Sequence, residues 1–204
     1  MNYDPVADGV LAAVVTFLEM REPPTSAIPA SLLTLRRLER LHADQYRSLF
    51  RLVGAPWLWF SRLVMPDAKL KAIIHDPQVE LFAVEDSGKA AGMVELDFRK
   101  ASECELAFLG LVPELTGKGH GRWLLAESLR HAWRHGVERV HVHTCTLDHP
   151  AALGAYRRAG FVPCKRAIEC FPDPRLLGIL PPDCAPQVPL WGTVTCALPA
   201  APLS

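Results

Sequence analysis

The stretch from Leu111 to Leu125, LVPELTGKGHGRWLL, decides how this chain is read. An apolar strand runs into Pro113, and glycines then alternate at 117, 119 and 121 just as a helical pattern begins. Glycine lets backbone N–H groups approach an anion without interference from a Cβ. The unpaired first-turn N–H groups of the following helix, with roughly half a positive charge from its dipole, then attract a phosphate. Lys118 and Arg122 add local cationic side chains. Taken alone, the same residues also suit a turn that merely ends a strand. The stretch is not a nucleotide P-loop, because no Gly-Lys-Ser/Thr follows at the required spacing. Nor is it a dinucleotide fingerprint: its third glycine is misplaced and no acidic residue ends a second parallel strand.

Regular patterns flank this turn on both sides. Upstream, Val79 to Glu85 and Ala90 to Phe98, joined by Asp86-Ser87-Gly88-Lys89, read as a hairpin, and Glu103 to Val112 as a third strand. Downstream come a helix over Gly119–His135 with Leu125, Leu129, Ala132 and Trp133 inward, a strand over Arg139–Thr146, a helix over Ala151–Arg158 and a strand over Phe161–Cys170. Before the hairpin lie a strand over Leu32–Leu38 and a helix over His42–Val53, its apolar face made by Tyr46, Leu49, Phe50 and Val53. An aromatic cluster with Trp57, Trp59 and Phe60 and a short helix ending at Ile74 follow. Strands followed by strand–helix–strand–helix–strand indicate an α/β layered domain with a mixed sheet.

The 204 residues carry 22 basic and 22 acidic side chains. That balance excludes bulk attraction to nucleic acid or to an anionic membrane. Six cysteines (104, 145, 164, 170, 184 and 196) are too few for a disulfide scaffold. With no secretion signal visible, they read as reduced thiols in a cytoplasm. The apolar run Val10 to Leu18 is far short of the ~20 residues of a membrane helix, follows acidic Asp4 and Asp8, and suits a strand. The chain therefore divides into a strand-like lead with a Pro-rich linker (1–31), a domain (32–171) and a Pro-rich tail (172–204) expected to lie as irregular coil over it. The lead is expected to add a strand or a dimer contact, which leaves a homodimer open.

The glycine turn resembles motif A of the GNAT superfamily, the acyl-CoA-dependent N-acyltransferases. Leu111, Val112 and Pro113 match its strand end, and Thr116, Gly117, Lys118, Gly119, His120 and Gly121 its pyrophosphate loop, with Thr116 where the family usually has Arg or Gln. A second segment, Ala152 to Phe161, resembles the family's later helix with its Ala-x-x-x-Tyr-x-x-x-Gly-Phe ending. The resemblance implies a mixed, mostly antiparallel central sheet flanked by helices, with splayed strands forming the acyl-CoA slot. It implies acetyl-CoA as acyl donor, held at the loop and at Arg122. It also implies a thioester carbonyl bound by backbone N–H at Gly110 or Leu111, with Gly110 marking the bulge that splays its strand. His149 stands where the family commonly has Asn beside the thiol.

Acyl transfer to an amine needs an acid for the leaving thiolate and a base for the amine. Tyr156, protonated at neutral pH, is the candidate acid, a role this tyrosine often has in the family. Strand alternation puts Glu103, Glu105, Ala107 and Leu109 on one face and Cys104, Leu106 and Phe108 on the other. Glu105 is the first candidate base, Glu95 the second and His143 or His141 the third. Trp57 and Trp59 are candidates for an acceptor pocket, and Arg62 for an acceptor carboxylate. The expected reaction is direct attack of a primary amine, on a small molecule or a peptide, in a ternary complex, with no nucleic acid, membrane or metal involved. Two rivals stand beside it: a non-catalytic acyl-CoA sensor, and a metal-dependent enzyme built on the His141, His143 and Cys145 strand face.

Overall fold

Seven strands, β1 (Val10–Met20), β2 (Thr34–Leu38), β3 (Val79–Asp86), β4 (Lys89–Asp97), β5 (Glu103–Leu111), β6 (Arg139–Cys145) and β7 (Val162–Pro172), form one sheet in the order β2-β3-β4-β5-β6-β1-β7. Every neighbouring pair is antiparallel except β5–β6. Five helices, α1 (Ala43–Gly54), α2 (Ser61–Val64), α3 (Asp67–Ile74), α4 (His120–Ala132) and α5 (Ala152–Arg158), cover the two faces. The structure is a computed structural model and describes residues 3–193; Cys196 and the end of the tail lie outside the described residues. The mixed sheet with flanking helices agrees with the expected fold class.

Each face has its own core. On one, Leu124, Leu125 and Leu129 of α4 and Tyr156 of α5 pack with Leu96, Leu106, Val140 and Val142 of the strands. On the other, Tyr46, Phe50 and Val53 of α1 and Leu70 and Ile73 of α3 pack with Leu81 and Met93. Each such apolar side chain contributes about 1.5–3 kcal/mol when fully buried. Helix α4 stops at Ala132, short of the expected His135, because Trp133 leaves helical geometry (ψ 78°) to pack on the first core and Gly136 turns left-handed.

The apolar lead is not an appendage. As β1 it lies inside the sheet, paired with β6 on one side and β7 on the other. The tail is irregular, but it is built around a buried ion pair. Arg175 donates to the Asp173 carboxylate and, through Nη1, to the carbonyls of Cys184, Ala185 and Val188. Leu180 and Ala185 then pack with Leu58, between the two tryptophans of the aromatic cluster.

Two features of β5 create the site. Its pairing with β6 is confined to Glu103–Glu105 against Arg139–His141, after which the strands diverge. Its register against β4 shifts so that Phe108 opposes Glu95 and Leu106 opposes Leu96, leaving Ala107 as the extra, bulged residue. This corrects the expectation for Gly110, which pairs in regular register with Met93. Gly110 is glycine for another reason: a Cβ there would lie 2.7 Å from Val53 Cγ1 and 3.2 Å from Trp59 Cη2. The bulge also corrects the expected alternation. Leu109 joins Leu106 on the α4 side, and Phe108 crosses to Phe50 and Trp59 on the α1 side.

Candidate active site

The divergence of β5 and β6 opens a groove of about 1680 Å³ that runs from the glycine turn past Tyr156 to Trp59. Pro23, Pro24 and Ser26 to Pro29 of the linker line part of its wall, and Ser31 Oγ lies 3.4 Å from His120 Nδ1 at the start of α4.

At one end, the turn has the conformation its glycines permit. Gly117 (φ 74°) and Gly119 (φ 85°) are left-handed, and at positions 117, 119 and 121 a Cβ would meet nothing within 4 Å. Gly119 caps α4 without a side-chain hydrogen bond; Arg122 N–H turns back to Gly119 O at 3.1 Å, which leaves the N–H groups of His120 and Gly121 as the first-turn donors without a side-chain cap. Lys118 and Arg122 are exposed and have no ion-pair partner among the described residues. Thr116 donates its hydroxyl to Pro113 O at 2.7 Å, so the short side chain stabilises the turn itself. Val112 N–H donates to Ala91 O on the β4 side. Alternation therefore turns the N–H of Leu111 toward the gap that β6 has left and that of Gly110 toward β4, so of the two candidates only Leu111 points its N–H into the gap.

In the middle stand two ionisable groups, one on each diverging strand. Glu105 Oε1 lies 3.5 Å from His143 Nδ1. The pairing raises His143 above the ordinary imidazole value despite its burial, and lowers the Glu105 carboxyl. Asp148 and Glu169 add to the rise at His143. His141, two residues away on the same strand face, is lowered by burial and sits 3.5 Å from Glu103. Cys145 Sγ accepts from Leu147 N, and burial pushes its thiol up to about 11, far from a reactive thiolate. The three strand-face residues thus have separate partners, and the described residues include no group of three or more His, Cys, Asp or Glu placed to hold a metal.

Tyr156 lines the groove from α5, is 8% exposed and packs edge-on against Phe161. Burial and the Asp148 charge raise its phenol, and its hydroxyl makes no hydrogen bond among the described residues. His149 lines the groove too; its Nδ1 accepts from Ala151 N at 3.1 Å and its ring meets Trp57 edge-on at 5.2 Å.

The structure corrects two expectations. Glu95 is fully buried, with Tyr46 donating to it at 2.5 Å and Arg62 at 2.6 Å. The Glu95 oxygens are taken by Tyr46 and Arg62 inside the protein, so Glu95 is not free to act as base; Arg62 commits Nη2 to Glu95 rather than to an acceptor carboxylate, while its buried Nε has no hydrogen-bond partner among the described residues. Burial and the Glu95 charge push the Tyr46 phenol well up. Sequence reasoning also missed Asp148. It accepts from Trp59 Nε1 (3.2 Å), Thr144 Oγ1 (2.8 Å) and Cys145 N (2.8 Å), and so ties the aromatic cluster to the end of β6. Its place in a Leu-Asp-His-Pro turn was a signal for backbone capping.

With this geometry in hand, comparison with known proteins is direct. The sequence profile of the acetyltransferase (GNAT) family matches residues 36–161, more than half of the chain. The chain belongs to the GNAT acetyltransferase family. Strands β1 and β7 fall outside the matched residues, so the family match ends where the lead strand completes the sheet. Among solved structures, a GCN5-related N-acetyltransferase from Sphaerobacter thermophilus is similar at 22% identity and a TM-score of 0.56, covering 78% of this chain and 51% of that one. One from Kribbella flavida is similar at 17% identity and a TM-score of 0.51, covering 81% and 60%. An aminoglycoside acetyltransferase from an uncultured soil metagenomic sample, in complex with trehalose, is similar at 18% and 0.51, covering 63% and 88%. The chain thus spans about half the length of the Sphaerobacter protein. At these identities the likeness is one of fold. No curated protein sequence matches the chain.

Proposed function

We infer that this GNAT-family protein is an N-acetyltransferase of a reducing, cytoplasmic compartment that moves an acetyl group from acetyl-CoA to a primary amine within a ternary complex. The observation that carries the reading is the continuity of one groove: a cradle of left-handed glycines leads into the slot where β5 and β6 part at the Glu105–His143 pair. The five described cysteines are unpaired, and no helix among the described residues is long and apolar enough to cross a membrane.

The cradle fits a pyrophosphate, because nothing occupies the space beside its glycines and the start of α4 supplies N–H groups. Acetyl-CoA, when bound, supplies the thioester whose C–S bond breaks as the amine's N–C bond forms. Leu111 N–H faces the acyl oxygen and stabilises the charge that develops there. His143 takes the proton that the amine loses, and Glu105 holds the resulting imidazolium. Tyr156 donates to the sulfur, so that the products are an amide and a thiol. The amine, on a small molecule or a peptide, approaches between Trp57 and the Glu105–His143 pair. Against this stands the sensor reading, favoured by Thr116, whose side chain is engaged within its own turn.

Thermal unfolding with and without acetyl-CoA tests the cradle. Saturation at 100-fold above Kd is worth about 2.7 kcal/mol, or roughly 5–10 °C in Tm. Gly119→Val, which forces a β-branched residue to φ 85° at a strain of about 1–2 kcal/mol, should abolish that rise. An unchanged wild-type Tm at millimolar acetyl-CoA rejects the coenzyme. Thiol release with an amine panel separates enzyme from sensor.

The base is tested by pH. His143 works only when unprotonated, so kcat/KM should rise with pH through an apparent pKa above 6.5, the ordinary value from which Glu105 raises it. Glu105→Gln removes the largest raising contact and leaves burial to lower the imidazole, so the rising limb moves to lower pH. Using one acceptor for both proteins cancels the amine's own ionisation. Superimposable profiles would remove the pair from the mechanism.

A further inference from the structure

We propose that Trp59 sets the length of the acyl group, closing the far end of the slot so that two carbons fit and four do not. The inference rests on the acyl-CoA reading above but concerns the donor, whereas sequence reasoning had assigned Trp59 to the acceptor.

The slot is bounded by diverging strands, and Trp59 is the side chain that crosses between them. On the β5 side its six-membered ring lies against Gly110, with Cη2 3.2 Å and Cζ2 3.9 Å from where a Cβ would be. On the β6 side its Nε1 donates to Asp148, which the hydroxyl of Thr144 and the N–H of Cys145 hold in turn. Gly110 adjoins Leu111, whose N–H faces the gap, so whatever extends beyond an acyl carbonyl bound there runs toward the indole.

The indole is also unable to step aside. Phe50 and Phe108 meet it at centroid distances of 5.6 and 5.2 Å. Behind it, a Cβ at Gly54 would lie 2.5 Å from its own Cβ, so α1 approaches Trp59 as closely as a glycine allows. The preceding residue, Leu58, is left-handed (φ 58°), a conformation unfavourable for a non-glycine residue. Leu180 and Ala185 of the tail pack on its side chain, and Gln187 donates to Pro56 O at 2.7 Å. The Pro-rich tail thereby fixes the turn that aims Trp59 across the slot. A rigid aromatic wall discriminates by size, because each extra methylene that a packed pocket cannot admit changes binding by about 10- to 200-fold.

Calorimetric titration with CoA, acetyl-CoA and butyryl-CoA reads this without turnover. The wild type should bind acetyl-CoA at least about tenfold more tightly than butyryl-CoA. Trp59→Leu should bring the two affinities close to equal, with Trp59→Phe between them. A merely structural role for Trp59 would weaken both ligands together and leave their ratio unchanged. Equal wild-type affinities overturn the proposal with no variant needed, and so does an unchanged ratio in a folded Trp59→Leu protein. CoA has no acyl group to reach the indole. Failure of all three ligands to bind therefore rejects the coenzyme site itself, a result distinct from CoA binding with no acyl-length preference.

Discussion

Tyr156→Phe is expected to lower kcat by about 10²-fold or more while acetyl-CoA affinity and Tm stay near wild type. The ring is buried against Phe161 and phenylalanine keeps that contact, so the fold has little to lose. What disappears is an O–H that has no partner among the described residues and lines the groove. Burial raises the phenol above its usual value near 10, so the proton is present throughout the working range. The same rise makes it a weak acid, and the basicity of the sulfur decides whether it suffices. Cys145, lining the same groove, shows what this environment does to a thiol: burial and Asp148 push it up to about 11. Burial in this groove thus acts in the same direction on a thiol and on the phenol. In the proposed reaction Tyr156 begins as a hydrogen-bond donor to the sulfur, and its proton crosses as the bond breaks. Steady-state kinetics alongside a thermal melt measure both halves of the prediction. Unchanged kcat would take the acid role from Tyr156.

Arg175→Met should cost about 3–5 kcal/mol, because it strips the partner from a buried carboxylate. The side chains of Arg175 and Asp173 are each 2% exposed and meet at 2.7 Å. Methionine fills much of the volume but leaves Asp173 charged and the carbonyls of Cys184, Ala185 and Val188 without their shared donor. If the tail unfolds with the domain, that loss appears as a Tm lower by roughly 6–20 °C. If it unfolds alone, limited proteolysis cuts beyond residue 172 while Tm holds. Acetyl-CoA over butyryl-CoA selectivity should fall in either case, since Leu58 loses the packing that orients Trp59. Asp173→Asn combined with Arg175→Met should recover part of the stability by removing the orphaned charge. A protein with unaltered Tm, proteolysis and selectivity would show that the ion pair holds nothing.

Much of the molecule was legible because its signals are local. Apart from the short helix α2, which falls in the stretch read only as an aromatic cluster, the strands and helices from 34 to 172 lie within a few residues of where period-2 and period-3.6 patterns put them. The conformation of the glycine turn was legible for a related reason: two left-handed positions before a helix almost demand glycine, and Gly117 and Gly119 meet that demand in the sequence itself. The resemblance to the GNAT superfamily drew on those same residues, and the matched profile spans them.

The misreadings share one cause, dependence on partners far along the chain. Nothing local to β5 announces that Ala107 is the bulged residue, because a register shift exists only against β4; yet that residue sends Phe108 to the opposite face. Glu95 looked like a strand carboxylate open to the site. Its ligands are 49 residues away at Tyr46 and 33 away at Arg62, and only packing α1 and α2 on β4 brings them in. The tail read only as irregular coil over the domain, but Arg175 and Asp173 bury an ion pair within it.

By itself, then, the sequence determined most of the elements, the glycine turn and the family, because each is specified by backbone conformations that neighbouring residues impose on one another. Only the tertiary structure decided that the apolar lead is an inner strand, that Glu105 and not Glu95 meets His143, and that Trp59 crosses the slot toward Asp148. Those are pairings across tens of residues. They are settled by which contacts can be satisfied together when two cores close on one sheet, and no short stretch of chain carries that information.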